Sequence, residues 1–203
     1  MTRQHIQGMS QNATAFDTAR PKYFAPGRFA IMIDGYSVHC AAQALRAELD
    51  FRKLRELFGA AKDMVRATYY AVTVENEEFA GRALLDWLDY NGYSICEKTV
   101  RGYSASHAPR SPRGRVSLEM AVDALDMAPL LDRLIIFSGD GDLAAMVEAV
   151  QRKGVQVTAV STLTTRPQMI ANELRRQVDR FIDLRELMPF VGRGISRVAA
   201  ASI

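Results

Sequence analysis

Cysteine is scarce in this chain: Cys40 and Cys96 are the only two among 203 residues, and they stand far apart. They form no CxxC or Cys/His ligand pattern, which argues against a disulfide framework and a zinc site and leaves reduced structural thiols as the expectation. Long apolar runs are absent as well. Nothing approaches the roughly eighteen residues of a membrane span, and the opening MTRQHIQGMSQNATAFDTARP has no apolar stretch of the kind a secretory signal needs. The expectation is a soluble, cytoplasmic protein with no membrane partner. Acidic residues are missing from one stretch in particular. From Lys98 to Leu118 the chain carries Lys98, Arg101, Arg110, Arg113 and Arg115 with no Asp or Glu, among Gly, Ser, Pro and His. A basic loop of this kind suits either bulk solvent or a phosphate backbone.

What is present is an ordinary globular composition, 48% hydrophobic and 24% charged, enough to bury one substantial core. Residues 1–27 are polar, contain Pro21 and Pro26, and show no sustained period, so they read as a flexible arm. A domain is expected over 28–190, followed by a flexible tail over 191–203. Inside it, RFAIMID (28–34), MVRATYYAVTV (64–74), YSICEKTVR, LDRLIIF and VQVTAVS read as strands. Between them, helices are expected over 37–48, 51–62, 75–90, 116–128 and 142–153, the last closed by Gly154, with one more over 166–176. FIDLREL then packs the end of the domain.

Strands that alternate with helices predict a mainly parallel central sheet covered on both faces, a three-layer α/β/α sandwich. In such sheets ligands bind beyond the carboxyl ends of the strands, where strand order reverses. Asp34 ends the first strand, and LIIFSGDGD ends another in Asp140 and Asp142, with only Gly141 between them. Carboxylates gathered there repel one another unless protonated or bridged by a cation, and Mg²⁺ or Mn²⁺ resolves the conflict with oxygen ligands and retained water. Gly141 would let the backbone pass close to such a ligand, and the first amides of the following helix would orient an anion. In VSLEMAVDALDMA, Glu119 and Asp123 share a face that Asp126 continues, on a helix otherwise apolar enough to be deeply buried. Each feature alone also has an ordinary explanation, an Asp-capped turn or a solvated helix face. His39, His107, Cys40 and Trp87 likewise suit surface or core placement without a functional role.

Taken in order, IMIDGYS, RGRVSLEMAVDAL, LIIFSGDGDLAAMVEAVQRKGVQVTAV and LRRQVDRFIDL resemble the NYN domain family, especially its LabA-like branch within the PIN-like nuclease superfamily. The resemblance spans residues 28 to about 190. It implies a PIN-like fold that binds Mg²⁺ or Mn²⁺ at the acidic sheet edge and hydrolyses RNA. Carried over, the catalytic and metal-binding acids are Asp34, Asp123, Asp140 and Asp142, with Glu119 as a further donor. Arg113-Gly114 stands where the family often has Lys-Gly. Asp179 matches a recurrent acid, and its expected role is structural. Two positions depart from the pattern. Ser37 stands where Asn is usual, and Ser117 where Asp is usual. At Ser117 a serine can keep the helix cap but not the charge, so the expectation is weaker metal binding and hydrolysis that is slow, needs Mn²⁺ or is absent.

The leading expectation is a metal-dependent endoribonuclease. Arg101, Arg110, Arg113 and Arg115 would contact RNA, joined by Ser37 and Ser117, with Tyr36 as a candidate stacking residue. The rival is a catalytically weakened PIN-like module that binds RNA or a regulatory protein partner, or pairs with a second copy as a homo-oligomer. A hydrolase of small phosphorylated molecules remains open, since acids on a parallel sheet do not name their substrate. A response-regulator-like receiver also places acids at strand ends, but this chain lacks its phosphoacceptor and lysine arrangement in the correct order.

Overall fold

The computed structural model describes residue 23 and residues 25–74, 81–100 and 116–193. Its centre is β1 (Phe29–Asp34), an unbroken apolar run that is buried along its whole length. A strand flanked on both sides by others and covered on both faces has no room for polar alternation, which is why FAIMID shows none. The chain continues through α1 (Gly35–Ala44), β2 (Glu48–Leu49), α2 (Phe51–Leu57), β3 (Met64–Val74), α3 (Arg82–Tyr90), β4 (Ser94–Val100) and α4 (Ser117–Met127). It then forms β5 (Arg133–Phe137), α5 (Ala144–Gln151), β6 (Gln156–Ser161), α6 (Asn172–Gln177), β7 (Arg180–Asp183), α7 (Leu184–Val191) and β8 (Gly192–Arg193).

Six strands make one sheet in the order β4-β3-β1-β5-β6-β7, every neighbouring pair parallel. Side-chain alternation divides β1 between two cores. Phe29, Ile31 and Ile33 join a cluster with Val38, Phe51, Leu54, Leu85 and Leu187, under α1, α2, α3 and α7. Ala30 and Met32 join the other, with Met120, Ala124, Val147 and Leu174, under α4, α5 and α6. This is the expected three-layer α/β/α arrangement. From β1 the chain builds outward to β3 and β4, then returns to the opposite side of β1 to add β5, β6 and β7. The reversal falls between β1 and β5, and it leaves a crevice beyond their carboxyl ends.

Several expected boundaries move, each for a visible reason. The first helix begins at Gly35 because Asp34 caps it, accepting from the Ser37 amide at 3.2 Å. It stops at Ala44, and the chain turns through Arg46 at φ 50° into β2, whose two residues pair with β8. Gly192 and Arg193, expected in the tail, are therefore part of a small second sheet, and Val191 is fully buried. Tyr23, expected in the arm, is buried against Phe190, ring centroids 6.2 Å apart. The second helix ends at Leu57, since the following Gly59 lies against the Phe29 ring with no room for a Cβ. Of the helix expected over 75–90, residues 82–90 are helical and 75–80 lie outside the described residues. Helix α4 is less buried than expected. An outer-layer helix covers one face only, so Met120 and Ala124 are buried while Leu118 and Val122 stay 68% and 58% exposed.

The helix expected over 166–176 is confined to α6. Residues 162–171 instead cross the turn that follows β5, with the Met169 amide donating to the Thr162 carbonyl at 3.3 Å and the Ala171 amide to the Gly139 carbonyl at 2.9 Å. Gly139 permits this crossing, because a Cβ there would collide with the Met169 carbonyl. Gly154, at φ +85°, closes the α5 region as expected. Overpacking against backbone has no flexible side chain to absorb it. Gly139→Ala is expected to lower unfolding free energy by roughly 2–3 kcal/mol in a urea titration; an unchanged midpoint would show that the crossing strand moves aside at no cost.

Candidate active site

The carboxyl ends of β1 and β5 bring together residues 104 and more positions apart. Asp34 is only 2% exposed. Its carboxylate accepts from the Ser37 hydroxyl at 2.5 Å and from the Ser138 hydroxyl at 3.1 Å, besides the Ser37 amide. Burial pushes the Asp34 carboxyl above its ordinary value of 3.8, and the nearby Asp140 charge raises it further, against the lowering effect of the three hydrogen bonds. The charge reaches Tyr69 too. Burial and Asp34 together push its phenol up to about 12.

Asp140 caps the short turn Gly141–Leu143 by accepting from the Asp142 amide at 3.1 Å. Its other carboxylate oxygen accepts from the Ser117 hydroxyl, at the start of α4. The Ser138 hydroxyl receives the Asp140 amide at 3.2 Å while donating to Asp34, so a single side chain ties the two acids. Neither Asp34 nor Asp140 has a Lys or Arg partner among the described residues. Asp142 is exposed on the outer side of the turn. Its amide, expected to meet an anion, is taken by Asp140. Gly141 serves packing rather than ligand approach, since a Cβ there would lie 3.0 Å from that of Ala171.

The acids on α4 make a separate group. Asp123 accepts from the Tyr70 hydroxyl at 2.7 Å, and Glu119 pairs with Lys98 at 2.6 Å. Tyr70 lies beside Asp34 in the parallel register, with Cys96 next to it on β4. The Tyr70 phenol is pushed far up, first by burial and then by Asp123, and Cys96 is pushed up by burial, Asp123 and Glu119. One oxygen of Glu119 is buried without a hydrogen-bond partner. Asp126, on the same sequence stripe, is exposed. The four expected acids thus do not form one cluster: among the described residues no three acids, histidines or cysteines converge closely enough to hold a metal ion. Asp34 and Asp140 meet; Asp123 and Glu119 are engaged with Tyr70 and Lys98; Asp142 flanks.

Arg101, Arg110, Arg113 and Arg115 lie outside the described residues. Asp179, matching the structural expectation, accepts from the Val157 amide at 2.7 Å and from Gln151 at 3.0 Å. Cys40 and Cys96 are both free thiols. Ser138 and Tyr70 were not legible as site residues. The signal for Ser138 was its place directly before the GDGD turn; that for Tyr70 was a strand register that only the paired sheet reveals.

The NYN domain model matches residues 28–185. The chain belongs to the NYN domain family. Low amplitude and bright protein LabA of Synechococcus elongatus is 30% identical over 170 residues, 83% of this chain and 89% of that protein. The crystal structure of a protein of unknown function from Vibrio parahaemolyticus superposes with a TM-score of 0.63 at 23% identity, over 81% of this chain and 96% of the other, and shares the fold. NYN domains are a PIN-like, nuclease-type family and generally depend on divalent metal. Among the described residues no helix is long and apolar enough to cross a membrane.

The donors at β1 and β5 fit a hard divalent cation of the kind held by one or two carboxylates and several waters. Both acids are oxygen donors, one is buried against its own charge, and neither is neutralised by a described cationic side chain. The sign of the Asp34 shift makes a prediction. A carboxyl raised in the folded state contributes stability below its unfolded value of 3.8 and loses it as pH rises through the folded value, so at neutral pH its buried charge is a cost. In EDTA, Asp34→Asn is expected to melt several degrees above wild type at pH 7, with the gap closing as pH falls through the acid range, followed by calorimetry. A variant less stable than wild type at pH 7 would mean that the carboxylate's hydrogen bonds outweigh its burial.

Proposed function

We propose that this NYN domain hydrolyses RNA phosphodiester bonds with a divalent cation, Mg²⁺ or Mn²⁺, held between Asp34 and Asp140. The observation that carries this reading is a buried carboxylate, raised by desolvation and by a second acid, at the crevice where the sheet order reverses. When bound, the cation polarises the scissile phosphate and lowers the pKa of a coordinated water. Ser138 and Ser37 orient the Asp34 carboxylate, and Ser117 orients that of Asp140. Asp142, exposed beside them, accepts a proton from water at the edge. Asp123 and Glu119 belong to the outer part of the site through Tyr70 and Lys98. The arginines at 101, 110, 113 and 115 supply phosphate contacts, so RNA affinity falls as salt is raised.

A second reading is favoured by one specific contact. At Ser117, where the family pattern carries an acid, a hydroxyl occupies an oxygen of Asp140 instead. Two carboxylates hold metal less firmly than three, which suits a module that binds RNA or a regulatory partner with little turnover.

One set of assays separates the two. With Mn²⁺ and labelled single-stranded RNA, wild type is expected to cleave slowly, EDTA to stop it, and Asp140→Asn to reduce the rate about a hundredfold or more. Ser117→Asp, which places a third carboxylate against Asp140, is expected to raise the rate at low Mn²⁺ about tenfold. RNA that binds but stays intact with wild type and Ser117→Asp alike would replace the nuclease reading by the binding module.

A further inference from the structure

On the face of the sheet opposite α4 and α5, α1 and α3 stand apart and leave a cleft of about 690 Å³ over β3. Val38, Leu49, Phe51 and Leu84 make it apolar, and Leu84 is still 36% exposed there. Tyr69, 7% exposed, brings a phenol hydroxyl to the same cleft. Gly35 leaves space for that hydroxyl, since a Cβ on it would lie 2.6 Å away. A phenol hydroxyl lining a cleft offers a ligand one polar contact on an otherwise apolar floor.

The rim is basic. Arg46, His39 and Arg193 line it, against a single acid, Glu48. No ion pair or side-chain hydrogen bond engages Arg46 or Arg193 among the described residues. Arg193 lies over the Trp87 ring at 5.9 Å, and Arg52 over the same ring at 5.2 Å, which stiffens this side of the rim. Arg46 sits in left-handed backbone at φ 50°, a conformation costly for a side chain of this kind. The volume falls in the ordinary range for small-molecule sites.

These features select among ligands. Inorganic phosphate would satisfy the arginines and leave the apolar floor wet. A fatty acid would cover the floor but bring only a single carboxylate charge to two arginines and offer Tyr69 no polar partner. A nucleotide meets all three demands: a phosphate for Arg46 and Arg193, a flat base for Phe51 and Leu84, and base-edge donors and acceptors for Tyr69 and Gln43. We propose that the cleft between α1 and α3 binds a nucleotide, either free as a mononucleotide or as the terminal residue of an RNA strand. The site is distinct from the acidic edge and stands whether or not that edge cuts RNA.

The test is calorimetric titration of the full chain, in EDTA, with each of the four ribonucleoside 5′-monophosphates, a short oligoribonucleotide that ends in the same nucleotide, and inorganic phosphate. The expected result is saturable binding of at least one mononucleotide at least tenfold tighter than phosphate. Arg46→Gln and Arg193→Gln should each weaken it about tenfold, Tyr69→Phe several-fold, and Asp140→Asn not at all. Binding by the oligonucleotide alone, with the same variant pattern, assigns the cleft to a strand end; binding by both assigns it to the nucleotide unit. No saturable binding, phosphate binding as tight as nucleotide, or binding lost in Asp140→Asn and kept in Arg46→Gln and Arg193→Gln would overturn the proposal. All these variants are expected to melt with the fold intact, because Arg46 and Arg193 are exposed and Tyr69→Phe removes one oxygen.

Discussion

A single buried charge organises the centre of this protein. The Asp34 carboxylate closes the most buried strand of the sheet, where water cannot solvate it and Asp140 repels it. Hydrogen bonds from Ser37 and Ser138 compensate in part, but burial remains the larger effect. A core position of this kind is better filled by an apolar or neutral residue for stability alone. Under the function proposed above, a divalent cation would supply the positive charge that no described side chain provides.

The sheet order makes this arrangement possible. Because β1 lies between β3 and β5, two segments far apart in sequence end side by side at the reversal, and their helices leave on opposite faces. The turn after β5 must then be tight. Residues 162–171 press on it through Gly139, and Asp140 caps its own turn, so the second carboxylate is fixed by the Asp142 amide on one oxygen and by the Ser117 hydroxyl on the other. The serines at 37, 117 and 138 are short donors that fit between acids without adding charge. That choice lowers the negative charge of the edge and distinguishes this chain from an edge built of carboxylates alone.

Much of this was legible from the chain. The strands β1, β5 and β6 were visible as short apolar runs that end in Asp, Gly or Ser, and their parallel pairing followed from the intervening helices. Asp34 and Asp140 were legible because each sits at a strand end. What was not legible depended on distant contacts. Two-residue strands carry no periodicity, so β2 and β8 were invisible. Asp123 and Glu119 looked free to join the edge; the register of β3 and β4 puts Tyr70 and Lys98 against them first. Residues 166–176 read as one helix, but the Met169 and Ala171 amides donate to the Thr162 and Gly139 carbonyls, and only Asn172–Gln177 is helical. The cleft over Tyr69 left no trace in the sequence, because its lining comes from α1, α2, α3, β2, β3 and β8 in small pieces.

The central claim is that Asp34 and Asp140 share one divalent cation. Anomalous diffraction from crystals grown with Mn²⁺ tests it most directly. The account predicts one ordered manganese peak within coordination distance of carboxylate oxygens of both residues, with water completing its shell. Manganese bound to Asp123 and Glu119 instead, or no ordered peak at the ends of β1 and β5 at millimolar Mn²⁺, would contradict it.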